Sequence, residues 1–289
     1  SYGSLSLTAS KPRQRRGFFP LLPGTFHAFY ANPHRPPLNS DPATVTATCL
    51  GFIEQTLFQT TCPPDEVAAI IVEPIQGEGG YVVPAPGFIP GLREICDRHG
   101  IVLIADEVQS GVGRTGKMWA FEHEGIVPDI VASAKGLGGG LPLGAMIARV
   151  ELASRWQPGS HGNTYGGNGL TCVVAHELLN MVEEELMDNA ASVGAHLHER
   201  LAALKARFPQ ISAVRGRGLM VGVEFVEPVS GQPAGKLADA VMEECFRKGL
   251  LVLTCGASTI RFCPPLTLSH AQAEEAAERF ALAIATCIA

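Results

Sequence analysis

The sequence predicts an α/β protein: a mostly parallel sheet followed by a smaller α+β region. Three observations carry that reading. Short apolar runs at 67–74 (VAAIIVEP), 101–108 (IVLIADEV), 129–135 (DIVASAK) and 144–150 (GAMIARV) recur with helical stretches between them, as in a parallel sheet covered on both faces. From Gly169 to about Phe208 apolar residues return every three or four positions, a long helical pattern. Beyond Pro209 the chain turns to short strands and amphipathic segments.

Taken in order, residues 1–66 are rich in Pro, Gly and Thr, and one helix is expected around Ala43–Thr60. The run 67–74 is the first buried strand. FIPGLREICDRHG (88–100) has helical spacing and stops on Gly100, a favoured helix terminator. Strands at 101–108, 129–135 and 144–150 follow. The helical stretch 169–208 carries a break near Asp188-Asn189. Then come strands within 214–226, a helix at Lys236–Lys248, a strand pair around GLLVLTCGASTIRFCPP and a closing helix, SHAQAEEAAERFALAIATCI. The division falls inside the long helical stretch: residues 1–185 form the larger domain and 186–289 the smaller.

Composition narrows the functions. The chain has 289 residues, 46% hydrophobic and 17% charged, with a formal net charge of −6. That suits a well-packed enzyme and offers no basic face for nucleic acid or anionic membranes. The run Lys11–Arg16 reads as a solvated loop. No apolar run approaches the roughly 20 residues that span a bilayer, and SYGSLSLTAS lacks the charged start and apolar core of a signal peptide. The eight cysteines show no C-x-x-C pair. Cys49, Cys96, Cys172, Cys245 and Cys263 lie in or beside apolar segments and read as reduced core thiols of a cytoplasmic protein.

One motif invites a wrong answer. Gly111, Gly113 and Gly116 make a G-x-G-x-x-G after the run 101–105, the spacing of a dinucleotide-binding turn. Such a turn needs a helix opening inside the motif to receive the phosphates. KMWAFEHEG, which follows, is too short and poorly patterned for that. Asp129, near the distance expected of a ribose-binding carboxylate, sits just before a strand. A triphosphate loop fits worse, because Lys135 precedes its glycines.

The stretch offers another chemistry. Asp106 stands at the C-terminal end of one buried strand and Lys135 at the end of another, the edge where α/β sheets collect ligands. The small neighbours Ser133, Ala134, Gly136 and Gly138–Gly140 leave the lysine amine approachable. A lysine that attacks carbonyls and an aspartate that keeps a pyridine nitrogen protonated are the minimal set for pyridoxal phosphate. Read alone, Lys135 is equally a surface lysine and Asp106 a structural carboxylate.

Six blocks in order are more specific: VEPIQGEGGY (72–81), IADEVQSGVGRTGKMWAFEHEGIVPDI (104–130), ASAKGLGGGLPLGA (132–145), HGNTYGGN (161–168), VRGRGLMVGVE (214–224) and TIRFCPPLT (259–267). Together they resemble the class III aminotransferases, fold type I pyridoxal phosphate enzymes that include the 4-aminobutyrate, ornithine and acetylornithine aminotransferases. The resemblance implies that Lys135 forms the Schiff base and shuttles the proton, and that Asp106 pairs with the pyridine nitrogen. It places Val108 on one ring face, Gln109 near the ring hydroxyl, and Thr164 at the cofactor phosphate of a neighbouring subunit, in a homodimer or dimer of dimers. The glycines 111, 113 and 116 would shape the active-site wall. Arg261 resembles the arginine that grips the α-carboxylate of glutamate or 2-oxoglutarate, and Glu78 the glutamate that pairs with it when an ω-amino substrate binds. Glu73 would line the pocket or cap its strand. No metal is implied.

The implied reaction moves an amino group from an ω-amino acid, of the 4-aminobutyrate, ornithine or acetylornithine type, to 2-oxoglutarate. A racemase on the same scaffold would need neither Arg261 nor Glu78 for a second substrate. The family's N-terminal portion, with its phosphate-cupping helix and ring-stacking aromatic, is expected to be missing, and His27 and Phe29 do not stand in its place. The sheet would then have an open edge, and a third reading is a chain without activity of its own.

Overall fold

The computed structural model describes residues 1–288. The first sheet runs β1 (Ala69–Val72), β2 (Val102–Asp106), β3 (Ile130–Ser133) and β4 (Ala145–Ala148), in that order. β1, β2 and β3 are parallel, with Ala69 beside Val102 and Ile104 beside Ile130. β4 is antiparallel to β3, pairing Ser133 with Ala145. The intervening segment holds only a short 3₁₀ turn, Lys135–Gly138, and a parallel return needs a crossover of about a dozen residues or more.

Helix α1 (Val45–Gly51) continues through a π-helical segment, Phe52–Leu57, to Thr60, filling the expected 43–60 region. Helix α2 (Phe88–His99) ends on Gly100 at φ 68°, the left-handed terminator that glycine adopts at no steric cost. Both helices pack on one face of the sheet, where Cys49, Ile53, Leu92, Ile95 and Cys96 meet Ile101 and Leu103. Asp129 locks this layer. It accepts from Leu103 N (2.7 Å) and pairs with Arg93 (2.8 Å) and Arg149 (2.6 Å), so its role is structural. The sheet is not covered on both faces as the sequence suggested. Alternate positions of β1 are exposed, Ile71 among them, as are Met146 and Ile147 on β4.

Asn168 caps helix α3 (Gly169–Met181), its side chain accepting from Leu170 N and Thr171 N, as N-cap asparagines do. A π-helical segment, Val182–Leu186, leads into α4 (Met187–Ala203). The expected break near Asp188-Asn189 is therefore a widened turn one step earlier. Asn189 instead donates to Leu266 O (2.6 Å) and Leu268 O (3.0 Å).

The second sheet is antiparallel, ordered β5 (Ile211–Arg217), β6 (Met220–Phe225), β8 (Thr259–Phe262) and β7 (Leu253–Cys255). Every residue of β6 is buried. Helices α4, α5 (Gly235–Arg247) and α6 (His270–Ile288) close its core. Phe280 sits at the centre, edge-on to Phe262 (5.0 Å between centroids) and Phe225 (6.2 Å). Aromatic pairs of this geometry add to plain apolar burial.

Two composition-level expectations are corrected. Cys49, Cys96 and Cys245 are buried, but Cys172 and Cys263 are exposed, and all eight cysteines are free. The run 11–16 is not a free loop: Pro12–Arg15 is a helical turn, and Lys11 is engaged with Glu78 at 3.2 Å. Among the described residues no helix is long and apolar enough to cross a membrane.

Candidate active site

A cleft of about 1710 Å³ opens beside the C-terminal ends of β1, β2 and β3; Glu73, Glu78, Asp106, Val108, Gln109 and Lys135 contribute to its lining. Parallel strands end together, so residues far apart in sequence converge there. Asp106 closes β2 opposite Ala132 of β3. It is half-buried, and its Oδ1 accepts from Val108 N at 3.1 Å. Lys135 stands two residues beyond the end of β3, exposed and with φ 45°. That left-handed backbone is costly for a non-glycine residue, and such strain persists where surrounding structure enforces it. The 3₁₀ turn holds it, with Leu137 N donating to Ala134 O at 3.0 Å and Leu137 buried.

Glu73 lies just beyond β1, and of the two places expected for it, the pocket and a strand cap, it takes the first. It lines the cleft, and its Oε2 accepts from Gly77 N at 2.7 Å. Burial pushes its carboxyl up to about 7, with nearby Asp106 acting in the same direction and Lys135 opposing.

Glu78 and Arg261, 183 positions apart, meet: Arg261 Nη1 donates to Glu78 Oε1 at 2.5 Å. The same nitrogen lies 3.4 Å from Gln109 Oε1, and the guanidinium sits 5.9 Å from the centroid of Tyr81. Arg261 thus reaches the cleft through two residues that line it. Burial alone would raise the Glu78 carboxyl; Arg261 and Lys11 outweigh it and hold it below its ordinary value. Lys11 was missed by sequence reading, since nothing local in a Pro/Arg-rich run marks a partner 67 positions away.

The structure thus gathers Lys135, Asp106, Val108, Gln109, Glu73, Glu78 and Arg261 into one neighbourhood. It leaves Thr164 out, on a fully exposed stretch between β4 and α3. His27 and Phe29 border the cleft but are engaged elsewhere: His27 Nε2 lies 3.0 Å from Leu7 O, and Phe29 stacks edge-on with Phe52 at 4.8 Å. The three glycines lie behind the cleft wall. A Cβ at Gly113 would meet Val182 Cγ1 at 2.8 Å, one at Gly116 would meet Ala191 Cβ at 2.9 Å, and one at Gly111 would strike Trp119 and Glu107 O at 2.8 Å. They let the loop pack against the helical run and Trp119, and no helix opens inside the motif.

The sequence profile of class III aminotransferases matches residues 1–284. The chain belongs to that family. Among class III relatives, a succinylornithine transaminase of Salmonella paratyphi A is 39% identical over 274 residues, covering 94% of this chain and 60% of that protein. The chain therefore spans about 60% of the length of the curated relatives it matches. An amine transaminase from an uncultivated Pseudomonas species, solved with pyridoxal phosphate bound, superposes with a TM-score of 0.92 at 36% identity, over 99% of this chain and 67% of the other. The ornithine aminotransferase of Toxoplasma gondii gives 0.83 at 30% identity, over 99% of this chain and 62% of the other. The mostly parallel sheet and the separate antiparallel sheet are those of a fold type I aminotransferase.

Proposed function

We propose that this chain carries the amino-transferring centre of a pyridoxal-phosphate-dependent ω-aminotransferase. The observation that carries the reading is Lys135 and Asp106 at the ends of adjacent parallel strands, both facing one cleft. The cofactor needs an approachable amine, an acid for its ring nitrogen and an apolar wall. Lys135 is exposed to the cleft, Asp106 is half-buried at its floor, and Val108 and Ala132 border it, so the residues fit. Bound there, pyridoxal phosphate would supply a ring that accepts the electrons released at the amino carbon.

The chain's own residues would do the rest. The Lys135 amine would hold the cofactor and carry the proton between the substrate carbon and the carbon that received its nitrogen. The Asp106 carboxylate would keep the ring nitrogen protonated, Val108 would pack on one ring face, and Gln109 would stand near the ring hydroxyl. Thr164, on its exposed stretch, would reach the phosphate held by a partner subunit of a homodimer. Residues 1–185 would form the cofactor-holding domain and 186–289 the smaller one, in a cytoplasmic enzyme.

Arg261 and Glu78 support transfer between two substrates over racemisation. With Glu78 on Arg261, the pocket suits an ω-amino acid. With Glu78 withdrawn, Arg261 presents two parallel N–H donors to a carboxylate of 2-oxoglutarate. The test is the visible spectrum of the purified chain after incubation with pyridoxal phosphate and dialysis, beside Lys135→Ala. A retained band in the wild type only, bleached by an ω-amino acid and restored by 2-oxoglutarate, is the expected result. A band retained equally by Lys135→Ala would overturn the assignment of the lysine.

A further inference from the structure

The motif VRGRGLMVGVE holds a buried arginine that the reading above does not use. Arg215 is 6% exposed, and its Nη1 pairs with Glu224, itself 3% exposed. Arg35 pairs with the same carboxylate. The rest of the guanidinium points elsewhere. Nε and Nη2 both donate to Gly80 O, at 3.1 and 2.9 Å, and Nη2 also donates to Thr259 Oγ1 at 2.9 Å.

The register shows what this accomplishes. Arg215 on β5 pairs with Gly222 on β6, and Gly222 pairs with Arg261 on β8. The three stand in one row across the sheet, with a glycine between two arginines. A Cβ at position 222 would come within 3.0 Å of both Tyr81 Cβ and Thr259 Cγ2. The gap at Gly222 is therefore where the Gly80–Tyr81 backbone lies on the sheet. Arg215 grips it from one side, and on the other Arg261 meets Glu78 and Tyr81. Gly256 N adds a bond to Glu78 O at 2.9 Å. The turn needs such anchoring, because Gly80 and Tyr81 hold φ of 127° and 52°.

We infer that Arg215 is the positioning residue for Glu78, holding the Gly77–Tyr81 backbone on the second sheet so that the Glu78 side chain alone switches on and off Arg261. The inference rests on the reading of Glu78 and Arg261 proposed above. Glu224 takes the third side of the Arg215 guanidinium and makes no bond to the Gly77–Tyr81 turn. Without the grip on Gly80 O, Glu78 covers Arg261 less of the time. An ω-amino donor then faces an uncovered cation and binds worse, while a dicarboxylate finds Arg261 free and binds better. General destabilisation would weaken both.

The test is Arg215→Lys in the chain loaded with pyridoxal phosphate. It keeps a cation beside Glu224, but a single ammonium cannot span Gly80 O, Thr259 and Glu224 at once. The expected result is a KM for the ω-amino donor raised about tenfold, kcat within about twofold, and calorimetric Kd for glutarate lowered several-fold. Thr259→Val, similar in shape and lacking one of the acceptors of Arg215, shifts the same quantities the same way by about two- to threefold, and decides the matter should Arg215→Lys not fold. Glu224→Gln leaves the bonds to Gly80 in place and is expected to move stability but neither constant. The proposal is overturned if both constants move in the same direction, if neither moves in the folded variants, or if glutarate fails to bind the wild type. Glutarate binding needs no amino transfer, so a chain that retains no cofactor band defeats the functional reading while the titration still judges Arg215.

Discussion

The two sheets of this molecule solve opposite problems. The second is sealed: β6 is buried along its whole length, and Phe280, Phe262 and Phe225 interlock under three helices. The first is open: β1 and β4 expose apolar side chains, and the ends of β1 to β3 empty into a cleft that holds a half-buried acid, a glutamate with a displaced titration and a lysine in a left-handed backbone. The first sheet packs helices on one face and carries the strained lysine and the cleft's carboxylates at its strand ends, whereas the second closes its core with three helices. The difference teaches that the cleft sits on the sheet with less apolar cover, beside a body whose core is closed on itself. Arg261, rooted in the sealed sheet, meets Glu78 in the loop that leaves β1 and lies on that same sheet.

That contrast can be broken by measurement. Phe280→Ala should cost about 3–5 kcal/mol in urea denaturation, as buried phenylalanines do; a loss under about 1 kcal/mol would mean the core of the second sheet is not closed on itself. Glu73→Gln should act through pH. Burial lets folded Glu73 keep its proton up to about 7, against 4.5 for the free group. The folded chain then binds more protons across that window, so the contribution of Glu73 is full below about 4.5 and is lost as pH rises to about 7. The variant should lack this decline, a difference of up to about 3 kcal/mol between pH 4 and pH 8 in denaturation profiles. Parallel profiles for the two proteins would show Glu73 to be ordinarily solvated.

Smaller effects sharpen the comparison. Arg261→Met should weaken glutarate binding by about 10- to 100-fold, the scale of hydrogen bonds to a charged group, with the melting temperature little changed. Smallest, Lys135→Gly should stabilise the fold by about 1 kcal/mol by relieving the left-handed strain, even as the cofactor band disappears. A destabilised Lys135→Gly would show that the lysine contributes packing rather than storing strain.

Much of this was legible in the sequence where local pattern and long-range order agree. The apolar runs ending in Asp106 and Lys135 are strands whose ends meet, because parallel pairing brings C-termini to one edge. Gly100 ends its helix as its type demands. What escaped reading depends on contacts with no local trace. The direction of β4 follows from the short turn at Lys135–Gly138, which the apolar run 144–150 does not encode. The glycines 111, 113 and 116 matched a nucleotide-binding spacing, yet they are small because helices and Trp119 press on them. Lys11 and Arg215 look like ordinary cations until folding sets them beside Glu78 and Gly80.

The hairpin joining β5 to β6 is seated on the Arg114–Thr115 backbone of the loop that follows β2. A Cβ at Gly218 would fall 2.5 Å from the backbone of Thr115, and one at Gly216 would fall 1.9 Å from Met220 O. Leu219 N also donates to Arg114 O at 3.0 Å. Those two glycines are fixed points of the fold that tolerate no side chain. The room for diversity lies at side chains that face the cleft without supporting its backbone, Val108 first among them.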